Sequence, residues 1–190
     1  MNILIGSGFA ETISQDIASK RNNYGNNFET IKKTKSKVFF QELRKQKINF
    51  PRVSNKPKGN GKWLVKEYQS FGGIKVKPFK QSHNINDKEY LQKFIDGDSI
   101  SVQFFVENNK IKILAICDQI ITNSEIGLFL IKSIITKKIN NKLLKTIYNL
   151  VEKISKNFLL KGINNLDLIT QGKKVFLLEV NPRPGLSTNI

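Results

Sequence analysis

The sequence predicts an α+β protein with mainly antiparallel sheets. Runs rich in β-branched and aromatic residues come in pairs joined by short turns, and such hairpins make neighbouring strands antiparallel. Other segments repeat apolar residues every three or four positions, which is the period of an amphipathic helix. At 190 residues the chain can bury a substantial core, as one domain or as two small lobes.

The first third of the chain is predicted to be mostly helix and loop. Residues 1–30 have little periodicity apart from a short helix expected at 11–20, which a polar, asparagine-rich loop follows. Residues 35–46 have the helical period, with Ser36 as a candidate N-cap and basic residues toward the carboxyl end. A connection rich in Pro, Gly and Lys is expected at 55–61.

A candidate phosphate-binding segment follows this connection. Residues 63–68 have the composition of a strand, and Lys66 lies among its apolar residues. The pair Gly72-Gly73 comes next, and adjacent glycines can expose backbone amides to an anion. A short strand is expected at 74–78, with two lysines on one face. The segment is interpreted either as a flap over phosphates or as an ordinary hairpin with solvated lysines.

The second half of the chain contains two predicted hairpins and a long helix. Residues 120–135 are rich in Ile, Leu and Phe without clear alternation, so no element is assigned to them. The predicted elements are a strand at 90–95 before a hinge at Gly97, a hairpin of 99–107 with 110–119, a helix at 140–158, and a hairpin of 163–169 with 175–181 around Gly172.

The end of the last predicted strand carries candidate chemistry. Side chains alternate along a strand, so Glu179 and Asn181 share one face, and Pro182 ends the strand because it has no amide hydrogen. A carboxylate, an amide oxygen and the Arg183 guanidinium suit a magnesium-bound polyphosphate, because oxygens bind the metal and the cation binds phosphate. The alternative is a salt-bridged strand end before a Pro-Gly turn.

Asp167 lies in the preceding predicted strand, among apolar residues where an unpaired carboxylate is costly. If the turn around Gly172 has an odd number of residues, alternation places Asp167 and Glu179 on the same face of the hairpin. We therefore expect Asp167, Glu179 and Asn181 to offer three metal ligands on neighbouring strands.

The formal charge of +17 suggests a nucleic-acid-binding protein as one interpretation. Only four residues are arginine, and the lysines are spread along the chain among many Asn and Ile residues. The charge therefore resembles a compositional bias more than a binding patch, since base recognition favours arginine. Charges interrupt each apolar run before it reaches membrane-spanning length, so we expect a cytoplasmic protein without membrane contact.

Several segments, in their order and spacing, resemble the ATP-grasp carboxylate–amine ligases. The resemblance extends from about residue 32 to the end of the chain. Residues 162–167 and 181–187 are most similar to bacterial ATP-grasp proteins associated with one-carbon coenzyme metabolism. The segments that carry the resemblance are Lys35, Lys66, Phe71-Gly72-Gly73, the run from Gln92 to Gly97, residues 162–169 and the run from Glu179 to Arg183.

The resemblance implies two α+β lobes that sandwich ATP and Mg²⁺, or Mn²⁺ in its place. It also implies that a carboxylate is activated as an acyl phosphate and then joined to an amine. The implied metal ligands are Asp167, Glu179 and Asn181, and the implied catalytic residues are Lys66 and Arg183. The implied ATP-binding residues are Lys35, Lys66, Gly72, Gly73, Gln92, Lys93, Phe94, Ile95 and Asp98, although the acid usual one position after Asp98 is Ser99 here.

The same resemblance implies a domain organisation. Residues 1–31 would be a remnant of a preceding domain or an N-terminal extension, 32–95 the smaller lobe with its glycine flap, and 96–190 the larger lobe with the metal site. The implied partners are a small-molecule carboxylate and an amine, with a homo-oligomer or a partner chain supplying missing elements. Two alternatives stay open, namely a catalytically incomplete nucleotide-binding module that needs a partner chain and, less favoured, a basic nucleic-acid-binding protein.

Overall fold

The computed structural model describes residues 24–70, 73, 75–124 and 127–189, and it confirms an α+β fold with mainly antiparallel sheets. The helix expected at 11–20 and Gly72 lie outside the described residues. The helices are α1 (Phe28–Thr34), α2 (Lys37–Lys45) and α3 (Asn141–Phe158), and Leu186–Asn189 form a 3₁₀ turn. The strands are β1 (Val53–Ser54), β2 (Trp63–Glu67), β3 (Lys77–Pro78), β4 (Glu89–Lys93), β5 (Asp98–Glu107), β6 (Lys110–Ser124), β7 (Gly127–Thr136), β8 (Gly162–Gln171) and β9 (Lys174–Asn181).

Asparagine side chains begin two of the helices. Asn27 Oδ1 accepts from the Thr30 amide at the start of α1, and Asn140 caps α3 in the same way. The sequence analysis missed α1, because its seven residues are too few to establish a helical period. Ser36 precedes α2 as expected, but its hydroxyl donates to the Lys33 carbonyl and does not cap the helix. Within the described residues, no helix has the length and apolar character that crossing a membrane requires.

The smaller sheet has the strand order β1-β4-β2-β3, and its neighbouring strands are antiparallel. Trp63, Val65 and Leu91 project from one face and form a small apolar core. Because side chains alternate along a strand, Lys66 and Gln92 project from the opposite face. The smaller sheet is therefore packed on one side and carries polar groups on the other.

Two strand boundaries differ from the sequence prediction. β3 is shorter than the strand expected at 74–78, because Lys75 lies in a turn, with its ammonium 2.7 Å from Glu67. Of the unassigned residues, 120–124 form the end of β6 and 127–135 form most of β7. β7 is an edge strand of the larger sheet, where Ile131 and Ile134 are only partly buried and Ile135 is exposed, which explains the weak alternation.

The larger sheet has the order β7-β6-β5-β8-β9, and each neighbouring pair is antiparallel. We call the two sides of this sheet its back face and its front face. The front face carries polar side chains, with Ser101 directly opposite Asp167. The back face is apolar and belongs to one buried cluster with α3, formed by Ile100, Val102, Phe104, Leu166 and Leu168 of the sheet and Ile147, Val151, Ile154 and Phe158 of the helix.

The β8–β9 hairpin corrects one prediction. Gln171 pairs with Lys174, so the turn contains two residues, which is an even number and not the odd number that was expected. With an unbroken register, Glu179 would project from the face opposite Asp167. A bulge inserts Leu178 into β9, and Asp167 then pairs directly with Glu179. The expected side-chain pair therefore forms through a bulge.

Candidate functional site

A cavity of about 420 Å³ lies between the smaller sheet and the front face of the larger sheet. Lys66 and Gln92 line it from the smaller sheet, and Asp167 and Glu179 line it from the larger one. Most of the remaining lining is apolar, including Leu64, Val76, Phe94, Ile95, Phe129, Ile131 and Ile169. The cavity thus combines a charged cluster with apolar walls, as a site for a ligand with a charged part and an aromatic part would.

Asp167 and Glu179 form a carboxyl pair in hydrogen-bond contact. Three amide groups donate to the other lone pairs of Asp167. Gln119 Nε2 and Asn165 Nδ2 lie 2.9 and 3.1 Å from Oδ1, and Asn181 Nδ2 lies 2.9 Å from Oδ2. The amides fix the orientation of this carboxyl at the cavity wall.

The two carboxyls have opposite pKa shifts. Burial and the neighbouring Glu179 carboxylate raise the pKa of Asp167 from 3.8 to about 7. Burial would also raise the pKa of Glu179, but three cations oppose it and hold this pKa below its ordinary value, namely Lys35, Lys66 and Arg183. Below about pH 7 the pair therefore binds one proton, mainly at Asp167.

Two lysines approach this pair from different elements. Lys35, in the turn after α1, is buried, and its Nζ lies 2.9 Å from Asn181 Oδ1 and 3.7 Å from Glu179 Oε1. Lys66 is buried in the smaller sheet and donates to Gln92 Oε1 at 3.2 Å. Burial lowers the pKa of Lys66, against the opposite effect of the two carboxylates. Both ammonium groups are therefore held close to the acidic pair.

The donor set fits a hard divalent cation such as Mg²⁺, which prefers oxygen ligands. Glu179 and Asn181 Oδ1 already share a cation, because the Lys35 ammonium lies within 4 Å of both. Across the described ranges, no three or more His, Cys, Asp and Glu side chains are grouped so as to hold a metal. A metal at this position would therefore use two carboxylates, one amide oxygen and oxygens of a bound ligand.

The turn after β9 holds Arg183 beside the acidic pair. The Arg183 amide donates to the Asn181 carbonyl at 2.8 Å, and its Nη1 donates to the Pro184 carbonyl at 3.1 Å. Arg183 is buried, and its charge contributes to the low pKa of Glu179. The guanidinium is thus fixed by the turn and acts electrostatically on the carboxylates.

Gly73 closes the cavity on a second side. Its φ is +75°, and a Cβ at this position would lie 2.5 Å from the Phe129 carbonyl oxygen of β7. The Phe129 ring lies 6.1 Å from the Phe94 ring, centroid to centroid. The Gly73 backbone therefore lies against β7, next to two aromatic residues of the cavity wall.

The family model described as "ATP-grasp domain" matches residues 33–187. This range is most of the chain, and it contains every site residue described above. The chain belongs to the ATP-grasp family. No curated protein matches the sequence.

Solved ATP-grasp structures share this fold at low sequence identity. An ATP-grasp superfamily protein from Archaeoglobus fulgidus has 19% identity and a TM-score of 0.71, over 90% of this chain and 54% of that one. The L-amino acid ligase from Bacillus licheniformis has 17% identity and a TM-score of 0.72, over 92% and 47%. The D-alanine–D-alanine ligase from Bacillus anthracis complexed with ATP has 17% identity and a TM-score of 0.68, over 96% and 67%. The chain thus spans about half to two thirds of these proteins, and the likeness shows the fold alone.

Most of the residues that the ATP-grasp resemblance implied come together at the cavity. Lys35, Asn181 and Arg183 do not line it but surround its acidic pair. Asp98 is not brought to the cavity, because its largely exposed carboxylate lies 3.7 Å from Lys137, and Ser99 lines the wall in its place. The implied residues that line the cavity are Lys66, Gly73, Gln92, Lys93, Phe94, Ile95, Asp167 and Glu179.

The sequence analysis missed three residues of this ATP-grasp site. Asn165 lies two positions before Asp167 on β8, so strand alternation could have identified it as a neighbour on the same face. Gln119 and Phe129 come from β6 and β7, and nothing in their local sequence indicates that these strands border the cavity. Gln119 is positioned by Ser99, whose hydroxyl donates to its Oε1 at 2.7 Å.

Proposed function

We propose that this ATP-grasp protein is an ATP- and Mg²⁺-dependent ligase that activates a carboxylate as an acyl phosphate and joins it to an amine. The observation that carries the proposal is the convergence of three cations on one carboxyl pair beside an apolar cavity. Lys35, Lys66 and Arg183 all act on Glu179. Such a cluster suits the phosphates of a nucleotide, whose charge it would stabilise during transfer.

The residues of the site would have different roles, according to their positions. Asp167, Glu179 and Asn181 Oδ1 would hold Mg²⁺, or Mn²⁺ in its place, and the metal would neutralise phosphate charge. Lys35 would leave Asn181 for a phosphate oxygen, since its ammonium occupies the cation position between Asn181 Oδ1 and Glu179. Asp167, whose pKa is raised to about 7, would lose its proton on holding the positively charged metal.

The other part of the nucleotide would lie between the apolar walls. Gln92, Phe94 and Ile95 line the cavity on the side of Lys66, and the Gly73 backbone approaches it beside Phe129. An aromatic base can stack on or pack against such walls. Gly72 would belong to the same flap, by the ATP-grasp resemblance.

The reaction would proceed in two displacements. An oxygen of the substrate carboxylate attacks the γ-phosphorus and ADP leaves, which gives an acyl phosphate. The amine nitrogen then attacks the acyl carbon, phosphate leaves with the bonding electrons, and the nitrogen loses a proton. Lys66 and Arg183 would stabilise the charge on the transferred group, so no nucleophilic side chain is needed.

The test is a screen for ADP release with amino acids and pterin-like acids as acceptors, followed by mass analysis of the products. Glu179→Gln should abolish Mg²⁺-dependent turnover while the protein stays folded, because the amide keeps the volume and loses the charge that binds the metal. Glu152→Gln is the matched control, since Glu152 is exposed on α3 and pairs with Lys156. Turnover by Glu179→Gln at ordinary Mg²⁺ concentrations would contradict the proposal. ATP binding without turnover for any acceptor would favour a nucleotide-binding module.

A further inference from the structure

We infer that Asn26 is a positioning residue for the metal site, although it lies before the segment that matches the ATP-grasp family model. The matched segment begins at residue 33. Asn26 is 5% exposed and lies in the described part of the segment that the sequence analysis assigned to a remnant or extension. The inference rests on the proposed function, because it concerns how the ligands of that site are held.

The Asn26 side chain forms hydrogen bonds with three residues that are far away in sequence. Its Nδ2 donates to Asn164 Oδ1 at 2.7 Å and to the Pro182 carbonyl at 2.9 Å. Its Oδ1 accepts from the Lys161 amide at 2.8 Å. Asn26 therefore ties the beginning of β8 to the turn that follows β9.

The contact with Pro182 fixes the peptide unit between the two predicted site residues of the turn. The carbonyl oxygen of this unit accepts from Asn26, and its nitrogen, which is the Arg183 amide, donates to the Asn181 carbonyl at 2.8 Å. Both polar atoms of the Pro182–Arg183 peptide are thus held. With this peptide plane held on both sides, the backbone between Asn181 and Arg183 has little freedom, and this restricts the positions of their side chains.

Asn26 acts from the back of the sheet, while the candidate metal ligands lie on the front. Asn164 and Asn165 are adjacent on β8, so their side chains project to opposite faces. Asn164 takes part in the Asn26 cluster and also donates to the Gly162 carbonyl at 2.8 Å. Asn165 donates to Asp167 on the other face. The hydrogen bonds of Asn26 with Asn164, Pro182 and Lys161 reach the backbone of β8 and of the turn, and we infer that its effect on the expected ligands passes along this route.

The chain around Asn26 is packed closely against β8. Gly162 has φ +65°, and a Cβ there would lie 3.0 Å from the Tyr24 carbonyl oxygen and 3.2 Å from the Gly25 Cα. α1 follows at once and places Lys35 in the turn at its end. Residues 24–35 thus contain both Asn26, which holds the turn after β9, and Lys35, whose ammonium contacts Asn181.

The experiment measures Mg²⁺-dependent binding of a fluorescent, non-hydrolysable ATP analogue to the full chain. Asn26→Ala leaves the Pro182 carbonyl without this donor, and we expect the Mg²⁺ midpoint of analogue binding to rise about 10-fold or more, as for other groups that orient metal ligands. Asn27→Ala is the control, because Asn27 caps α1 through Thr30 and is adjacent in sequence. The control should keep the wild-type midpoint within about twofold.

The outcomes separate this inference from the proposed function. A wild-type chain that shows no Mg²⁺-dependent analogue binding would refute the proposed function, and the inference with it. Normal wild-type binding with equal midpoints for the Asn26 and Asn27 variants would overturn only the inference. If Asn26→Ala does not fold, Asn26→Asp takes its place, because it keeps the acceptor for the Lys161 amide and removes the Nδ2 donor to Pro182. An Asn26→Asp protein that does not fold, or that folds with the wild-type midpoint, would also overturn the inference.

Discussion

The shared proton of the carboxyl pair gives a prediction about stability and pH. Asp167 has its pKa raised from 3.8 to about 7 in the folded chain by burial and by Glu179. A carboxyl with a raised folded-state pKa binds its proton more tightly when folded, so its contribution to stability is present at low pH and is lost as pH rises toward the folded pKa. In the ion-free protein, the loss should therefore occur between about pH 4 and pH 7, the range between these two pKa values.

The size of this loss follows from the two pKa values. A difference of about three pH units corresponds to about 4 kcal/mol in the free energy of unfolding. Asp167 lines an open cavity, where water screens part of the interaction with Glu179, so we expect about 2–3 kcal/mol. Asp167→Asn removes the titration and keeps a similar volume.

The assay is urea unfolding without divalent metal, followed by the fluorescence of Trp63, the single tryptophan of the chain. The wild type should lose about 2–3 kcal/mol relative to Asp167→Asn between about pH 3.5 and pH 8. Both proteins share every titrating group outside the carboxyl pair, so the difference reports the titration of the coupled pair. A difference that stays constant across this range would refute the assignment of a shared proton to the pair.

Two further predictions concern the smaller lobe. Lys66→Met should weaken binding of the ATP analogue by about 2 kcal/mol, or about 30-fold, while the free energy of unfolding does not fall, because burial already disfavours the charged lysine. Exposed Lys62→Met is the control, and unchanged affinity in folded Lys66→Met would exclude the phosphate role. Gly73→Ala should slow turnover about 10-fold, because its Cβ would meet the Phe129 carbonyl oxygen at 2.5 Å, at a cost of about 1–2 kcal/mol. Gly59→Ala has a similar φ of +73° and open space around it, so equal effects of the two substitutions would show that backbone strain alone is responsible.

The sequence could predict those parts of the fold that local patterns determine. α3 was expected at 140–158 and is found at Asn141–Phe158, because its apolar period continues over five turns and Asn140 can cap it. The hairpin of 99–107 with 110–119 was expected, and its two turn residues, Asn108 and Asn109, have positive φ of 49° and 61°, which asparagine tolerates. α1 was missed because its helical character depends on packing over seven residues.

The site could be predicted only in part. The residue types that provide its chemistry can be read from short segments, whereas the contacts between those residues depend on how distant strands pair. Glu179 and Asn181 were grouped correctly, since residues two apart on one strand share a face. Gln119 reaches Asp167 from β6, and β5 separates this strand from β8. That contact depends on the registers of two strand pairs, and single residues in the sequence do not encode a register directly.

The bulge at Leu178 shows how side-chain alternation and strand register together determine which residues reach the site. A two-residue turn sends Asp167 and Glu179 to opposite faces, and one extra residue reverses this result. The same bulge leaves the register nearer the turn unchanged, so Leu177 stays in the buried core while Glu179 lines the cavity. β9 therefore pairs with β8 in one register up to Leu177, which faces the apolar back, and in another from Glu179, which faces the polar front. The bulge at Leu178 is the point at which the register changes. Beyond this point β9 ends at Asn181, where the Pro182 turn, held from behind by Asn26, places Arg183 beside the acidic pair.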